Sequence, residues 1–217
     1  MSIVTHILLV DDHDLVRTGL RRLLADVPEV QVIGEAESGE DAFRLCRELK
    51  PHLVLMDLKM PGIGGLEATR KITNHHPEIK VLAVSGVEDD LYASRLLQAG
   101  ASGYLLKGAP FDEMLKAIRK VMAGQRYLSA PVAEQLALRQ FDGGEGSPFE
   151  RLSERELQIA LMVVNCHKVQ EISERLNLSP KTVNSYRYRL FEKLGIESDV
   201  ELTHMAIKYG MIDSQRI

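Results

Sequence analysis

The chain has 217 residues, of which 45% are hydrophobic and 27% are charged. These values are typical of a globular protein of one or two domains, and the formal net charge of −4 does not by itself indicate nucleic-acid binding. No run of about 18 apolar residues is present to span a membrane, and the N-terminal "MSIVTHILLVDDHD" predicts a first strand rather than a signal peptide. Cys46 and Cys166 lack CxxC spacing, which argues against a disulfide framework or a thiolate zinc site and favours a reducing cytosol.

Five short apolar runs alternate with stretches of helical spacing in the first part of the chain. The helical stretches repeat apolar residues three and four positions apart. The runs are apolar on both faces, as in a parallel sheet covered by helices. We therefore predict an α/β domain with a doubly wound, five-stranded parallel sheet over residues 1–124. The predicted strands are Ile7–Val10, Val30–Ile33, Leu53–Met56, Val81–Val84 and Tyr104–Leu106.

Polar residues follow four of these predicted strands. Asp11 and Asp12 follow the first strand, Asp57 the third, Ser85 the fourth and Lys107 the fifth. Sites in open α/β sheets lie at the carboxyl ends of the strands, so these side chains should meet at one edge. Mg²⁺ would relieve the repulsion between the carboxylates. Asp57 could then act as a nucleophile toward a phosphoryl group, and Lys107 and the hydroxyl of Ser85 could bind the phosphoryl oxygens.

The segments that carry these residues resemble a known family. "LLVDDHDLVRTGL", "LVLMDLKMPGIGGLEATRKI", "VLAVSG" and "GYLLKGA" are similar to the receiver domain of two-component response regulators, over about residues 5–124. The resemblance implies a flavodoxin-like fold in which Asp57 accepts the phosphoryl group. It implies that Mg²⁺ is bound directly by Asp12, Asp57 and the backbone carbonyl of Lys59, and through water by Asp11.

The same resemblance assigns roles at the last two strands. Lys107 and Ser85 match the phosphoryl-binding lysine and hydroxyl, and Ser85 and Tyr104 match the family's switch positions. The family usually has Ala where this chain has Gly86, a change that preserves access to the acceptor. An aspartate-nucleophile phosphatase is an alternative, but such enzymes place a second acid two residues after the nucleophile, where this chain has Lys59.

The pattern changes after residue 124. "APVAEQLALRQF" (Ala130–Phe141) predicts a helix and "DGGEGSP" (Asp142–Pro148) a flexible connection, so that residues 125–149 form a linker. Four helical segments follow in an all-α domain at 150–217, the first over Glu154–Val164. Ser153 and Glu156 have the spacing of a capping box. The sequence "NLSP" predicts a tight turn before a helix over about Pro180–Leu194, a helix-turn-helix arrangement whose second helix enters the DNA major groove.

That predicted helix has an apolar and a polar side. Val183, Leu190 and Leu194 lie on one side and should face the core. The opposite side and its flanks could contact bases and phosphates. A merely solvated polar face is the alternative, and the capped helix pair with its locally basic composition argues against it. The predicted DNA-binding residues are Lys181, Thr182, Asn184, Ser185, Tyr188, Arg189 and Lys193.

The last segment also resembles a known family. "LSERE" and "EISERLNLSPKTVNSYRYRLFEKL" are similar to the LuxR/FixJ-type DNA-binding domain. The family commonly has Lys at Asn184 and His at Tyr186, and these departures, with "NCHKVQEIS", resemble the GacA/UvrY/SirA subgroup. That resemblance implies a sensor histidine kinase of the GacS/BarA type as a partner. It also implies promoter targets at genes of small regulatory RNAs that sequester a CsrA-type protein.

These observations predict a cytoplasmic transcription regulator. The only reactions that we expect it to catalyse are its own phosphorylation and dephosphorylation. A kinase would phosphorylate Asp57, and the altered receiver surface would promote a homodimer on paired DNA half-sites. The helix Asp199–Tyr209 could pair in that dimer, or its apolar residues could be core. They are Leu202, Met205, Ala206 and Ile207. A phosphorylation-gated module that binds protein or RNA is a further alternative.

Overall fold

The computed structural model describes residues 4–86, 90–141, 147–209 and 211. The chain divides into two compact units, Met1–Arg139 and Gln140–Ile217. The first five residues of the predicted flexible connection, 142–146, lie outside the described residues. In the part of the chain that is described, no helix has both the length and the apolar content needed to cross a membrane.

The first unit is built on a parallel sheet with the order β2-β1-β3-β4-β5-β6. Its central strand β3 has the sequence LVLM and is buried on both faces, because helices cover the sheet on both sides. The predicted fold class is confirmed, and the sheet has one strand more than the five predicted. The strands are β1 (Thr5–Val10), β2 (Val30–Ala36), β3 (Leu53–Met56), β4 (Lys80–Ser85), β5 (Gly103–Leu106) and β6 (Tyr127–Leu128).

Helices connect successive strands of this sheet and divide its core into two layers. One layer packs Leu24, Ile118 and Val121 against one face of the sheet, and the other packs Ala42, Cys46 and Ile72 against the opposite face. The helices of the unit are α1 (Asp14–Ala25), α2 (Gly39–Leu49), α3 (Gly64–His75), α4 (Asp90–Gln98), α5 (Phe111–Met122) and most of α6 (Ala130–Phe141), whose last two residues follow the boundary at Arg139.

Strand β6 was not predicted, and it ties the start of α6 to the sheet. Tyr127 and Leu128 pair in parallel with Gly103 and Tyr104 of β5. The hydroxyl of the next residue, Ser129, accepts a hydrogen bond from the backbone N–H of Leu106 at 3.1 Å. The backbone of Ser129 also contributes, because its N–H donates to the carbonyl of Tyr104 at 3.0 Å.

The second unit is all-α, as predicted. A short 3₁₀ helix (Pro148–Arg151) leads into α7 (Glu154–Val164), α8 (Val169–Leu176), α9 (Pro180–Leu194) and α10 (Asp199–Lys208). The bounds of α7 and α9 are those expected from the sequence, since strong end signals mark both helices. Ser153 and Glu156 form the capping box of α7, Ser179 caps α9 through the N–H of Thr182, and α9 ends at Gly195 in the left-handed conformation.

Candidate functional site

The predicted convergence of charged side chains at the carboxyl edge of the sheet is present in the structure. Asp11 follows β1, Asp57 follows β3 and Lys107 follows β5. The Nζ atom of Lys107 lies 2.7 Å from Oδ2 of Asp11 and 3.0 Å from Oδ2 of Asp57. Lys107 and Asp11 are 96 residues apart in the chain, so the parallel sheet alone brings them together.

Asp57 is a buried carboxylate whose two oxygens have different partners. Only 3% of the residue is exposed. Its Oδ1 accepts a hydrogen bond from the backbone N–H of Leu58 at 2.7 Å. Its Oδ2 is within ion-pair distance of Lys107, but among the described residues it makes no hydrogen bond of acceptable geometry. Two buried carboxylates, Asp11 and Asp57, share the single ammonium of Lys107, so a further positively charged or electrophilic partner would be favoured here.

The electrostatics of Asp57 and Lys107 are coupled. Burial raises the pKa of Asp57 above its ordinary value, and the charge of Asp11 adds to this, while the nearby Lys107 ammonium only partly offsets the rise. Burial alone would lower the pKa of Lys107. The hydrogen bond to Asp11 and the charge of Asp57 together outweigh that effect, so the pKa of Lys107 is raised and the side chain stays charged.

A second pair of side chains extends this edge toward solvent. Asp12 and His13 lie at the start of α1, and with Asp11 and Asp57 they form a group whose candidate metal-ligand atoms are all within 4.8 Å of one another. Oxygen donors of this kind suit a hard divalent cation. The three carboxylates therefore fit a Mg²⁺ ion, with Asp11, Asp12 and Asp57 as the residues that could hold it.

The backbone after Asp57 is closely packed, and glycines are required there. A Cβ on Gly65 would overlap the backbone oxygen of Asp57, and a Cβ on Gly62 would overlap the carboxylate of Glu40. Glu40 itself accepts a hydrogen bond from the N–H of Ile63 at 3.0 Å. The loop after Asp57, the predicted acceptor loop, is therefore held between α2 and the first turn of α3.

The other predicted residues of this edge occupy different environments. Ser85 and Tyr104 are fully buried, and the backbone N–H of Lys107 donates to the carbonyl of Ser85 at 2.7 Å, which places β4 and β5 side by side at the site. Lys59 is exposed, and its side chain is not among the candidate metal ligands. Gly86 has open space where a Cβ would be, so Ala at this position would meet no obstacle.

Arg17 of α1 was not predicted as a site residue, yet it supports the acidic loop. Only 4% of Arg17 is exposed. Its Nη1 donates to the backbone oxygen of Asp11 at 2.7 Å, and its Nη2 donates to Glu37 at 2.8 Å. In the sequence, Arg17 resembles a surface residue of an amphipathic helix. Only its contacts in the folded structure show that it supports the acidic loop.

In the second unit, helix α9 has the two sides expected from its sequence. Val183 and Leu190 are fully buried and Leu194 nearly so. Tyr188 is 75% exposed. The other predicted DNA-binding residues are exposed or half-buried and lie on the same helix, namely Lys181, Thr182, Asn184, Ser185, Arg189 and Lys193.

The basic side chains of α9 differ in their partners. Lys193 pairs with the buried carboxylate of Glu156 in α7, at 2.6 Å. Arg187 makes two contacts of 2.6 Å with Asp199 of α10. The guanidinium of Arg189 lies 4.6 Å from the ring centroid of Tyr186, in cation–π geometry. Arg189 is therefore more available to a phosphate than Lys193 or Arg187.

Comparison with known proteins finds the same two parts. The family described as "Response regulator receiver domain" matches residues 7–119, and the family described as "Bacterial regulatory proteins, luxR family" matches residues 150–206. The chain is 62% identical to the response regulator GacA of Pseudomonas protegens over 208 residues, covering 96% of this chain and 98% of GacA. It is 53% identical to the response regulator UvrY of Escherichia coli K12 over 213 residues, covering 98% of both chains.

A solved structure shares this architecture. RcsB from Salmonella enterica serovar Typhimurium, bound to the promoter rprA in the presence of the phosphomimetic BeF₃⁻, is similar with a TM-score of 0.63 and 26% identity. The similarity covers 93% of this chain and 98% of that one.

Proposed function

The chain belongs to the two-component response regulators with a LuxR-type DNA-binding domain, and we propose that Asp57 is the residue through which its DNA binding is switched. The chain is thus a phosphorylation-activated transcription regulator, of the type of GacA and UvrY. The observation that carries our assignment is the buried Oδ2 of Asp57, which has Lys107 at 3.0 Å and no hydrogen bond among the described residues.

The proposed reaction is transfer of a phosphoryl group from a histidine of a sensor kinase. An oxygen of Asp57 attacks phosphorus, the P–N bond breaks, and its electron pair returns to the imidazole of the kinase. Lys107 then neutralises charge on the phosphoryl oxygens, and the hydroxyl of Ser85 donates a hydrogen bond to one of them. The receiver thereby catalyses its own phosphorylation and, with water as the acceptor, its own dephosphorylation.

Mg²⁺ is the proposed cofactor. Asp12, Asp57 and the backbone carbonyl of Lys59 would hold it directly, and Asp11 through water. When bound, the cation offsets negative charge on the carboxylates and on the incoming phosphoryl group. Arg17 keeps the acidic loop in place meanwhile, since it donates to the backbone oxygen of Asp11.

The proposed switch starts from two buried residues. A phosphoryl group on Asp57 attracts the Ser85 hydroxyl, and the fully buried Tyr104 of β5 repacks. The changed receiver surface favours a homodimer, which places two copies of α9 on paired half-sites. In α10, Leu202 and Ala206 are buried within one chain whereas Val200 is 65% exposed, so Val200 is the apolar residue best placed to contact a second copy.

The proposed DNA contacts divide by environment. Tyr188, Asn184 and Ser185 read base edges, while Lys181, Thr182 and Arg189 contact phosphates. Lys193 is paired with Glu156 and therefore contributes least to DNA binding. The DNA-bound RcsB structure supports duplex DNA as the ligand of this domain type.

Two finer proposals follow from the relatives. Identity of 62% to GacA supports a sensor kinase of the GacS/BarA type as the phosphoryl donor and promoters of small regulatory RNA genes as targets. We place the protein in the cytoplasm, where such promoters are.

The decisive experiment is labelling of the full chain by radioactive acetyl phosphate in Mg²⁺. We expect Asp57→Asn to abolish the label, and Asp26→Asn, which removes an exposed acid at the end of α1, to leave it unchanged. Retained label in Asp57→Asn would assign the acceptor to another residue.

DNA binding is measured on the same samples. Treatment with acetyl phosphate should tighten the binding of the unmodified chain to a target promoter duplex and should not change the binding of Asp57→Asn. The slope of the logarithm of the binding constant against the logarithm of the salt concentration reports the number of phosphate contacts. Equal affinity for single-stranded RNA and duplex DNA would instead favour the RNA-binding alternative.

A further inference from the structure

Ser129 is the residue at which the sheet ends and α6 begins. Its N–H donates to the carbonyl of Tyr104, as the parallel ladder between β5 and β6 requires. In a regular continuation of that ladder, the next bond would run from the N–H of Leu106 to the backbone carbonyl of Ser129. That carbonyl is already used, because it accepts the first helical hydrogen bond of α6 from the N–H of Ala133 at 3.0 Å. The N–H of Leu106 therefore needs a different acceptor.

The side chain of Ser129 supplies this acceptor. Its Oγ accepts from the N–H of Leu106 at 3.1 Å, and the residue is only 2% exposed. The same hydroxyl donates to Oε1 of Glu113 in α5 at 3.3 Å. That Oε1 also accepts from the hydroxyl of Tyr127 at 2.8 Å, and burial together with this hydrogen bond raises the pKa of Tyr127 to about 12. The phenol therefore stays protonated, and Glu113 fixes the direction of the Ser129 hydroxyl.

The hydrogen bond to Ser129 acts on the strand end that carries Lys107. Leu106 immediately precedes Lys107, whose own N–H donates to the carbonyl of Ser85 at 2.7 Å. The end of β5 is thus held from β4 on one side and from Ser129 on the other. The Nζ atom of Lys107 contacts two buried carboxylates at the carboxyl edge of the sheet, so a shift of this strand end would change the distance from the ammonium to both.

We propose that Ser129 is a positioning residue that ties the end of β5, and with it Lys107, to the first turn of α6, and that a phosphoryl group on Asp57 loosens this tie. The tie stands on the hydrogen bonds of Ser129, whereas its loosening rests on the proposed function of Asp57. Oδ2 of Asp57 and Nζ of Lys107 are 3.0 Å apart, so a phosphoryl group between them would shift the strand end and lengthen the bond from Leu106 to Ser129. Because the carbonyl of Ser129 begins α6, the shift would reach the helix that leads along the chain toward the DNA-binding unit.

Hydrogen exchange of single backbone N–H groups in the full chain, measured by NMR, tests the tie. We expect Ser129→Ala to speed exchange of the Leu106 N–H by about tenfold or more, because a buried donor loses its acceptor. Ser129→Thr keeps a hydroxyl and should restore slow exchange. The matched control is Thr73→Ala, which removes a hydroxyl that donates from α3 to the carbonyl of Ala99 at 2.6 Å and should leave exchange at Leu106 unchanged. If Ser129→Ala does not fold, Ser129→Cys gives the same comparison, because a thiol is a weak acceptor.

Acetyl phosphate with Mg²⁺ provides the second arm, and the proteins are compared at equal extents of labelling. In the unmodified chain and in Ser129→Thr, phosphorylation should speed exchange of the Ala133 N–H by about threefold or more. In Ser129→Ala this N–H should exchange at the same rate with and without the label, a loss of response that general destabilisation would not produce.

Two results would overturn the proposal. One is unchanged exchange of the Leu106 N–H in Ser129→Ala, and the other is an equal response of the Ala133 N–H to phosphorylation in Ser129→Ala and the unmodified chain. If the unmodified chain takes no label, the proposed function of Asp57 fails and the loosening fails with it, while exchange at Leu106 still decides whether Ser129 forms the tie.

Discussion

The carboxyl edge of the sheet around Asp57, the proposed acceptor edge, and helix α9, the proposed recognition helix, are built in opposite ways. Lys107 and Asp11 meet across 96 residues of sequence, and their meeting depends on every strand between them. The predicted DNA-binding residues all lie within the single helix Pro180–Leu194. The first site is therefore sensitive to the whole α/β unit, whereas the second depends on a local helix and the few side chains that hold it.

The two regions also differ in how their charged and polar groups are buried. Asp57 and Asp11 are buried and share one ammonium, that of Lys107, so the acceptor edge holds an electrostatic cost that a cation can relieve. The recognition helix exposes its polar side, and its most exposed aromatic residue, Tyr188, contributes almost nothing to the core. Substitutions at the edge should thus change folding and chemistry together, whereas substitutions on the exposed side of the helix, such as at Tyr188, should change binding with little effect on stability.

The largest effect is expected for Gly65→Ala. A Cβ at this position would overlap the backbone oxygen of Asp57, and neither backbone segment can move freely within the buried loop. We expect the receiver unit to lose about 3 kcal/mol of stability and the chain to take no acetyl-phosphate label. Thermal unfolding followed by calorimetry measures the loss.

Gly86→Ala is the matched control for that change. Nothing lies within 4 Å of a Cβ at Gly86, so both stability and labelling should persist. Similar unfolding of the two variants would show that the tight contact at Gly65 is not what holds the acceptor loop.

A smaller effect is expected at Arg17. Arg17→Gln removes the bond to the Asp11 carbonyl and the contacts to Glu35 and Glu37, and we expect a loss of about 2–3 kcal/mol because a buried cation is removed from its partners. Mg²⁺ affinity should fall with it, as measured by calorimetry.

Arg21→Gln separates this role from general charge removal. Arg21 lies one turn along α1, pairs with the same Glu35 at 3.1 Å, and is 68% exposed. Its loss should cost less than about 0.5 kcal/mol and leave Mg²⁺ affinity unchanged. If both arginine variants lose Mg²⁺ affinity equally, the hydrogen bond to Asp11 has no special role.

On the recognition helix, Tyr188→Ala and Asn184→Ala should weaken binding to a specific promoter duplex by about tenfold or more, since a good base contact contributes about 1–3 kcal/mol of discrimination. Non-specific binding should change much less, and the melting temperature of the Tyr188 variant should not move. Fluorescence anisotropy with specific and scrambled duplexes measures both affinities. Equal losses on the two duplexes would assign these residues to phosphate contact.

The smallest effect is expected at Lys193, and it depends on pH. Burial would raise the pKa of Glu156, but hydrogen bonds from Lys193 and Ser153 outweigh it and hold the pKa below its usual 4.5. A depressed folded-state pKa stabilises the unit above that ordinary value, and the contribution is lost as the pH falls through the folded-state pKa. Lys193→Gln should cost about 1 kcal/mol at pH 7 and move acid unfolding to higher pH.

Unfolding curves between pH 2 and 7, followed by circular dichroism, measure this change. Lys181→Gln removes an exposed charge at the other end of α9 and should leave the acid transition in place. If Lys193→Gln leaves it in place too, the ion pair with Glu156 does not stabilise the unit.

Helices and strands with strong sequence patterns could be predicted well, whereas contacts of single side chains and very short strands could not. Helices α7 and α9 end where Ser153, Pro180 and Gly195 indicate, because caps and left-handed glycines act locally. Strands β1, β3 and β5 are marked by apolar runs bounded by turn residues. The convergence of Asp11, Asp57 and Lys107 could be predicted because parallel strands share one carboxyl edge.

The features that the sequence did not reveal depend on the direction of a side chain or on the pairing of a very short strand. Strand β6 has two residues, too few for any periodicity. Arg17 lies in an amphipathic helix pattern in which an arginine is ordinarily exposed, and its burial follows from the tertiary approach of β2 and the β1–α1 loop.

Strand β6 also determines where the receiver unit can be cut. Without Tyr127 and Leu128, β5 would become the edge of the sheet, with unpaired backbone groups that invite pairing with another chain. Tyr127 is 8% exposed and packs in the core beneath α5, so its removal would also uncover apolar surface. We therefore expect a fragment ending at residue 124 to self-associate, and one ending at residue 139 to remain monodisperse in its unphosphorylated form.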